Sequence, residues 1–155
     1  MTPTVLDVAS FILREEEGEM STMKLQKLCY FSQGWSLAWS GNALFDDDFE
    51  AWANGPVSRR LFSTHRLKYS VASISGGNAD NLDDIQALIV RTVLGAYAKM
   101  SGLQLSELTH RGTPWILVRG DLPDGASCSE PIGKTSIKQS FENLQGPETA
   151  IAGVV

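Results

Sequence analysis

Between Met23 and Gly41 runs the stretch MKLQKLCYFSQGWSLAWSG, whose apolar residues Leu25, Leu28, Cys29, Tyr30, Phe31, Trp35, Leu37 and Ala38 lie nearly all round a helix. A helix without a solvated face has to be enclosed, so this segment predicts a core helix on which the remaining elements are laid. Ser21 or Thr22 can cap its start, and Gly41 can end it in a left-handed conformation. Gly34 in its interior costs about 1 kcal/mol against Ala, which predicts close approach of another backbone there.

The enclosure has to come from 155 residues, one domain's worth of chain. Upstream, with Pro3 in the first turn, Val5, Leu6, Val8, Ala9, Ile12 and Leu13 form a helical face that stops at the EEEGE run. Glu15, Glu16, Glu17 and Glu19 crowd a helix C-terminus, where the dipole repels them, and read as a solvated end rather than a metal site. Downstream, Leu44-Phe45, the turn Asp46-Asp47-Asp48 and the alternating FEAWA predict a small hairpin. The Asp triplet lacks the alternating ligands and glycine of a calcium loop.

Then comes EAWANGPVSRRLF. Pro56 has its φ preset for the first position of a helix, and Gly55 before it is extended or at positive φ, which predicts a strand-to-helix turn. The helix behind it sets Val57, Leu61, Phe62 and His65 on one face and Arg59, Arg60, Arg66 and Lys68 elsewhere, the basic cluster of the chain. Residues 69–81 read as a small-residue loop with a short edge strand at Val71 to Ile74. Asn81 caps what should be the longest core helix, with Leu82, Ile85, Leu88, Ile89, Thr92, Val93, Ala96, Tyr97 and Met100 on its apolar face and Ser101-Gly102 at its end. Leu103, Leu105 and Leu108 make a short helix that breaks before THRGTPW, and IKQSFENL a terminal helix capped at Ser136. The fold class is mainly α: a single compact helical domain over 1–144 with a small β-hairpin inserted between helices, then a disordered tail over 145–155.

Reaction chemistry is hard to assemble from these residues. PIGKTS suggests a phosphate loop, but the first glycine of that motif falls on Cys128 and no buried strand leads into it. Neither a G-x-S-x-G elbow nor an H-E-x-x-H pair is present. His65 and His110 stand alone, and Cys29 and Cys128 have no Cys-x-x-Cys spacing, so neither an enzyme, a cofactor nor a metal is expected. Thirteen basic against 18 acidic residues give a net charge of −5, which opposes nucleic acid and anionic membranes as partners. The N-terminus lacks a basic leader and no window approaches the ~18 apolar residues of a span, which predicts a soluble, cytoplasmic protein.

Three blocks taken together carry a resemblance: LQKLCYFSQGWSLAWSG (25–41), LFDDDFEAWANGPVSRRLF (44–62) and LSELTHRGTPW (105–115), with a closing IGKTSIKQSF (132–141). They resemble the Panacea domain, the SocA-like antitoxin family also found among phage-associated proteins, from about Met23 to Phe141. The resemblance implies the antitoxin of a type II-like toxin–antitoxin system that neutralises a cognate protein toxin by direct binding. In one branch the antitoxin resembles a proteolytic adaptor holding its toxin for an AAA+ protease. It also implies a mainly helical fold with a small β element and no catalytic residues. Trp52, Gly55, Pro56, Arg59, Arg60, His110 and Trp115 are the expected partner-binding residues. Arg59 and Arg60 come first, because the planar donor fork of Arg pairs with carboxylates. Two alternatives stand beside this one: a nucleic-acid-binding regulator using the Arg59–Lys68 helix, and an enzyme with a polar pocket around His65 or His110.

Overall fold

The computed structural model describes residues 2–144, 146 and 147, and the tail expected over 145–155 otherwise lies outside the described residues. In chain order the elements are α1 (Val5–Glu16), β1 (Met20–Ser21), α2 (Thr22–Ser40), β2 (Phe49–Trp52), β3 (Gly55–Ser58), α3 (Arg59–His65), β4 (Ser70–Val71), α4 (Asp84–Tyr97), α5 (Gly102–His110), α6 (Thr113–Arg119), β5 (Pro131–Ile132) and α7 (Lys134–Glu142). The class is mainly helical, with two small antiparallel sheets in place of one hairpin: β1 with β4, and β2 between β3 and β5.

The α2 helix is the hub, packed against α1, α4, α5 and α7. Ser21 caps it through the Lys24 N–H, and Gly41 closes it at φ 76°. Every residue from Leu25 to Leu37 is buried, including the polar Gln26, Lys27, Ser32, Gln33 and Ser36. Gly34 does admit a close neighbour, but it is the Phe141 ring of α7 and not a backbone; a β-carbon there would collide with that ring. Phe141 meets Trp35 edge-on at 5.1 Å between ring centroids, and Phe31 stacks on Tyr97 at 4.4 Å.

Several local expectations are corrected. At the start of α1, Thr4 is the cap, its hydroxyl accepting from Asp7 N while the Asp7 carboxylate accepts from Thr4 N, so Pro3 stands outside the helix. The hairpin is FEAW against GPVS, turning at Ala53-Asn54, with Trp52 opposite Gly55 and Phe49 opposite Ser58. Leu44 and Phe45 form no strand, because the buried Gln33 amide takes the Leu44 N–H (2.7 Å) and the Phe45 carbonyl (2.8 Å). Pro56 lies inside β3, an outer strand where a missing N–H is tolerated, and α3 starts only at Arg59 behind its cap Ser58. The edge strand near residue 71 is Ser70–Val71, paired with β1.

At 19 residues α2 is longer than α4 at 14, since Asp83 caps α4 late and Ser101 already caps α5. The buried face of α4 is Ala87, Ile89, Val90, Val93, Leu94 and Tyr97, which leaves Ile85 and Leu88 exposed. The break expected before THRGTPW comes later: Thr109 and His110 complete α5, the chain turns at Arg111-Gly112, and α6 follows with Pro114 in its first turn, where the absent N–H costs nothing. The last helix begins at Lys134, two residues before the expected cap, with no side-chain cap.

Candidate functional site

The β2–β3 hairpin is held by its backbone carbonyls. Arg119 of α6 donates to the Ala51 carbonyl (3.1 Å), Trp115 to Trp52 (2.8 Å), Ser106 of α5 to Asn54 (2.5 Å), Lys27 of α2 to Pro56 (3.0 Å) and Gln26 to Ser58 (3.1 Å). Gln26 also accepts from Ser58 N (2.9 Å), so its amide pairs with the outer edge of β3 as a neighbouring strand would. Gly55, at φ 112°, fits where a side chain could not: a β-carbon would lie 2.5 Å from Thr109 Oγ1 and 2.8 Å from Lys27 Cε. An exposed hairpin turn is thereby converted into a rigid corner.

Three nitrogen bases meet at this corner. Lys27 is 1% exposed, and burial alone pulls its ammonium down to about 7. His65 is lowered, first by burial and then also by the Lys27 charge, and its Nε2 lies 3.0 Å from the Gln26 amide nitrogen. His110 is lowered by burial and by Lys27, lies flat on Trp115 with centroids 4.1 Å apart, and its Nε2 has no hydrogen-bond partner among the described residues. Their hydrogen bonds go to amide and carbonyl groups, an arrangement that fixes backbone and activates no nucleophile. No group of three or more His, Cys, Asp or Glu among the described residues is placed to hold a metal ion. Cys29 is buried, with its thiol pushed far up by burial, and Cys128 is a half-buried free thiol.

The outer side of the corner is polar and internally paired. Glu50 receives Arg59 (2.9 and 3.1 Å) and Trp52 Nε1 (2.8 Å). Burial would raise the Glu50 carboxyl, but the hydrogen bonds from Arg59 and Trp52, together with the Arg59 charge, outweigh it and hold the group below its usual range. The Arg59 guanidinium also lies over the Trp52 ring at 5.4 Å, and Phe62 packs edge-on against that ring. Arg60 pairs with Asp47 (3.2 Å), whose other oxygen accepts from Val5 N at the start of α1 (2.9 Å). Asp48 pairs with Lys134 (2.9 Å), so the acidic triplet ties the loop to α1, α3 and α7.

Of the seven expected contact residues, Arg59 and Arg60 are exposed, with 58% and 53% of their side-chain surface free. Trp52 and His110 are half-buried, and Gly55, Pro56 and Trp115 are buried. The structure gathers Trp52, Gly55, Pro56, His110 and Trp115 at one joint, with Arg59 on its outer face. Sequence reasoning missed Gln26, Lys27, Ser106, Thr109 and Arg119, which do most of the holding. Their one visible signal is polarity at positions where the surrounding helix is otherwise apolar.

The family model "Antitoxin SocA-like, Panacea domain" matches residues 25–116, a span that takes in α2 from Leu25 onward, the hairpin, α3, β4, α4 and α5. Antitoxin SocA of Caulobacter vibrioides is 31% identical over 114 residues, covering 64% of this chain and 60% of that relative. The matched part is therefore less than two thirds of the relative's length. No solved structure matches the chain.

Proposed function

The chain belongs to the SocA-like Panacea domain family, and from that premise we propose that it is an antitoxin which neutralises a cognate protein toxin by direct binding. One observation carries the reading. Five carbonyls of the hairpin are occupied by buried side chains from α2, α5 and α6, so the corner offers a partner a preformed surface. On that surface Arg59, Arg60 and Trp52 are available for contact, while Gly55, Pro56, His110 and Trp115 hold their positions. Arg59 and Arg60 are already neutralised by Glu50 and Asp47, an arrangement suited to exchanging carboxylates with a protein and poorly suited to collecting phosphates on a chain of net charge −5.

The place of action is proposed as the cytoplasm; no helix among the described residues is long and apolar enough to cross a membrane. An AAA+ protease as second partner rests on family resemblance. The test is genetic: the open reading frame beside this gene is expressed alone and together with this chain. Growth arrest that the chain relieves supports the reading, and toxin half-life in the same strains separates occlusion from delivery to a protease. Absence of arrest, or arrest that the chain does not relieve, refutes it.

A further inference from the structure

Immediately after α3 the chain carries the most exposed large apolar side chains among the described residues. Leu67 is 101% exposed and Tyr69 85% exposed, and they alternate with Arg66 and Lys68, also exposed. Neither cation forms an ion pair among the described residues, in contrast to Arg59 and Arg60. Leu67 stands at φ 68°, in the left-handed region that side-chained residues other than Asn and Asp seldom enter. The free protein gains nothing from leucine there: it buries no surface, and glycine would hold the same backbone without strain.

The backbone beneath these side chains is pinned. Lys68 N donates to the His65 carbonyl (2.9 Å), and the Tyr69 carbonyl accepts both Thr22 N (2.9 Å) and the Thr22 hydroxyl (3.2 Å). Directly after Tyr69, β4 pairs with β1. A hollow of about 500 Å³ is lined by Tyr69 and Lys68, by Met23 and by the exposed Leu103 at the start of α5. Because the backbone is already fixed, docking these two apolar side chains costs only their own rotamer freedom, and the hollow beside them extends the apolar contact.

Resting on the antitoxin reading, we infer that the centre of the toxin interface is the Arg66–Tyr69 corner, which inserts Leu67 and Tyr69 into an apolar pocket rimmed by carboxylates. Charge complementarity specifies the occupant: Arg66 and Lys68 are unneutralised cations on an acidic protein, so the matching surface is acidic around its apolar centre. The hairpin arginines lie at the other end of α3, seven residues and about 10 Å along its axis, and so belong to the rim. A membrane would also take a leucine and a tyrosine that alternate with two cations. The net charge of −5 and the lack of a longer basic run favour a protein.

The experiment uses the full chain and the purified product of the adjacent gene. Wild type is compared with Leu67→Gly/Tyr69→Ser by calorimetric titration, thermal melting and co-sedimentation with phosphatidylserine-containing vesicles. The expected result is an affinity lost by roughly tenfold or more, the loss typical of removing central anchors, with a melting temperature that does not fall. Arg66→Ala/Lys68→Ala should flatten the salt dependence of association. Equal affinity of wild type and Leu67→Gly/Tyr69→Ser overturns the inference and leaves the antitoxin reading standing. Wild type that does not bind the neighbour's product overturns both. Vesicle binding that depends on Leu67, with protein affinity unchanged, reassigns the corner to lipid and also overturns it.

Discussion

Replacing Gly55 by alanine tests the central claim about the hairpin corner. A residue with a β-carbon at φ 112° carries roughly 1–3 kcal/mol of backbone strain. The added carbon would also sit 2.5 Å from Thr109 Oγ1 and 2.8 Å from Lys27 Cε. Neither neighbour can step aside, since Thr109 is buried with its hydroxyl donating to the Ser106 carbonyl (2.6 Å), and Lys27 is buried with its ammonium on Pro56. Overpacking of this kind costs about 1–3 kcal/mol, so Gly55→Ala should lose roughly 2–6 kcal/mol in all, centred on about 4, a large part of a domain's ~5–15 kcal/mol. Urea titration followed by tryptophan fluorescence reads this as a midpoint lower by roughly 2 M for a slope near 2 kcal/mol/M. Thr109→Ala in the same chain removes the nearest colliding atom and should recover about 1–2 kcal/mol of coupling, leaving the φ strain. Gly95→Ala is the control of opposite sign: that glycine lies in α4 at negative φ with nothing near its virtual β-carbon, and alanine there should add about 0.5–1 kcal/mol. A Gly55→Ala midpoint indistinguishable from wild type would refute the reasoning.

The other predictions concern the core, the buried lysine and the exposed arginines. Trp35 is buried, donates to the Tyr97 hydroxyl (3.0 Å) and packs against Trp39 and Phe141; Trp35→Ala should cost about 3–5 kcal/mol in chemical denaturation, and an unchanged midpoint would contradict its place in the core. Lys27 has a folded pKa of about 7 against ~10.4 unfolded. The unfolded chain therefore binds more protons between these values, and this group's contribution makes stability rise with pH across that window. Lys27→Met should be the more stable protein at pH 6 by roughly 2 kcal/mol, after about 1–2 kcal/mol for the orphaned Pro56 carbonyl. Its advantage should vanish or reverse by about pH 10; a difference between the two proteins that stays flat with pH would show that Lys27 remains charged. Arg59→Ala with Arg60→Ala should leave the melting temperature within about 2 °C of wild type, because exposed pairs contribute little. The same double variant should slow association with the adjacent gene's product several-fold at low salt, as measured by surface plasmon resonance, and an unchanged rate would remove these arginines from the rim.

Local physics was enough for part of this protein. The span of α1 follows from its apolar face and that of α2 from an apolar run with no solvated face, with the Ser21 hydroxyl as cap at one end and the left-handed Gly41 at the other. The residues of the three motif blocks were also visible as a set, though not what they do for one another. Pro56 shows why: a φ near −65° suits the first turn of a helix and an outer strand equally. The strand prevails because Gln26, Lys27, Ser106 and Trp115, distant in sequence, bind the carbonyls on either side of the turn. In α4 the sequence offers two overlapping apolar faces, and packing against α2 and α1 buries Val90, Val93 and Leu94 while Ile85 and Leu88 stay in water. Nothing in the sequence sets Leu67 apart from other leucines, since exposure is a property of what fails to cover a side chain. Periodicity and capping are interactions within a few residues and can be read along the chain. The choice between two locally acceptable conformations, and between a buried and a bare leucine, was made by groups that meet only once the chain is folded.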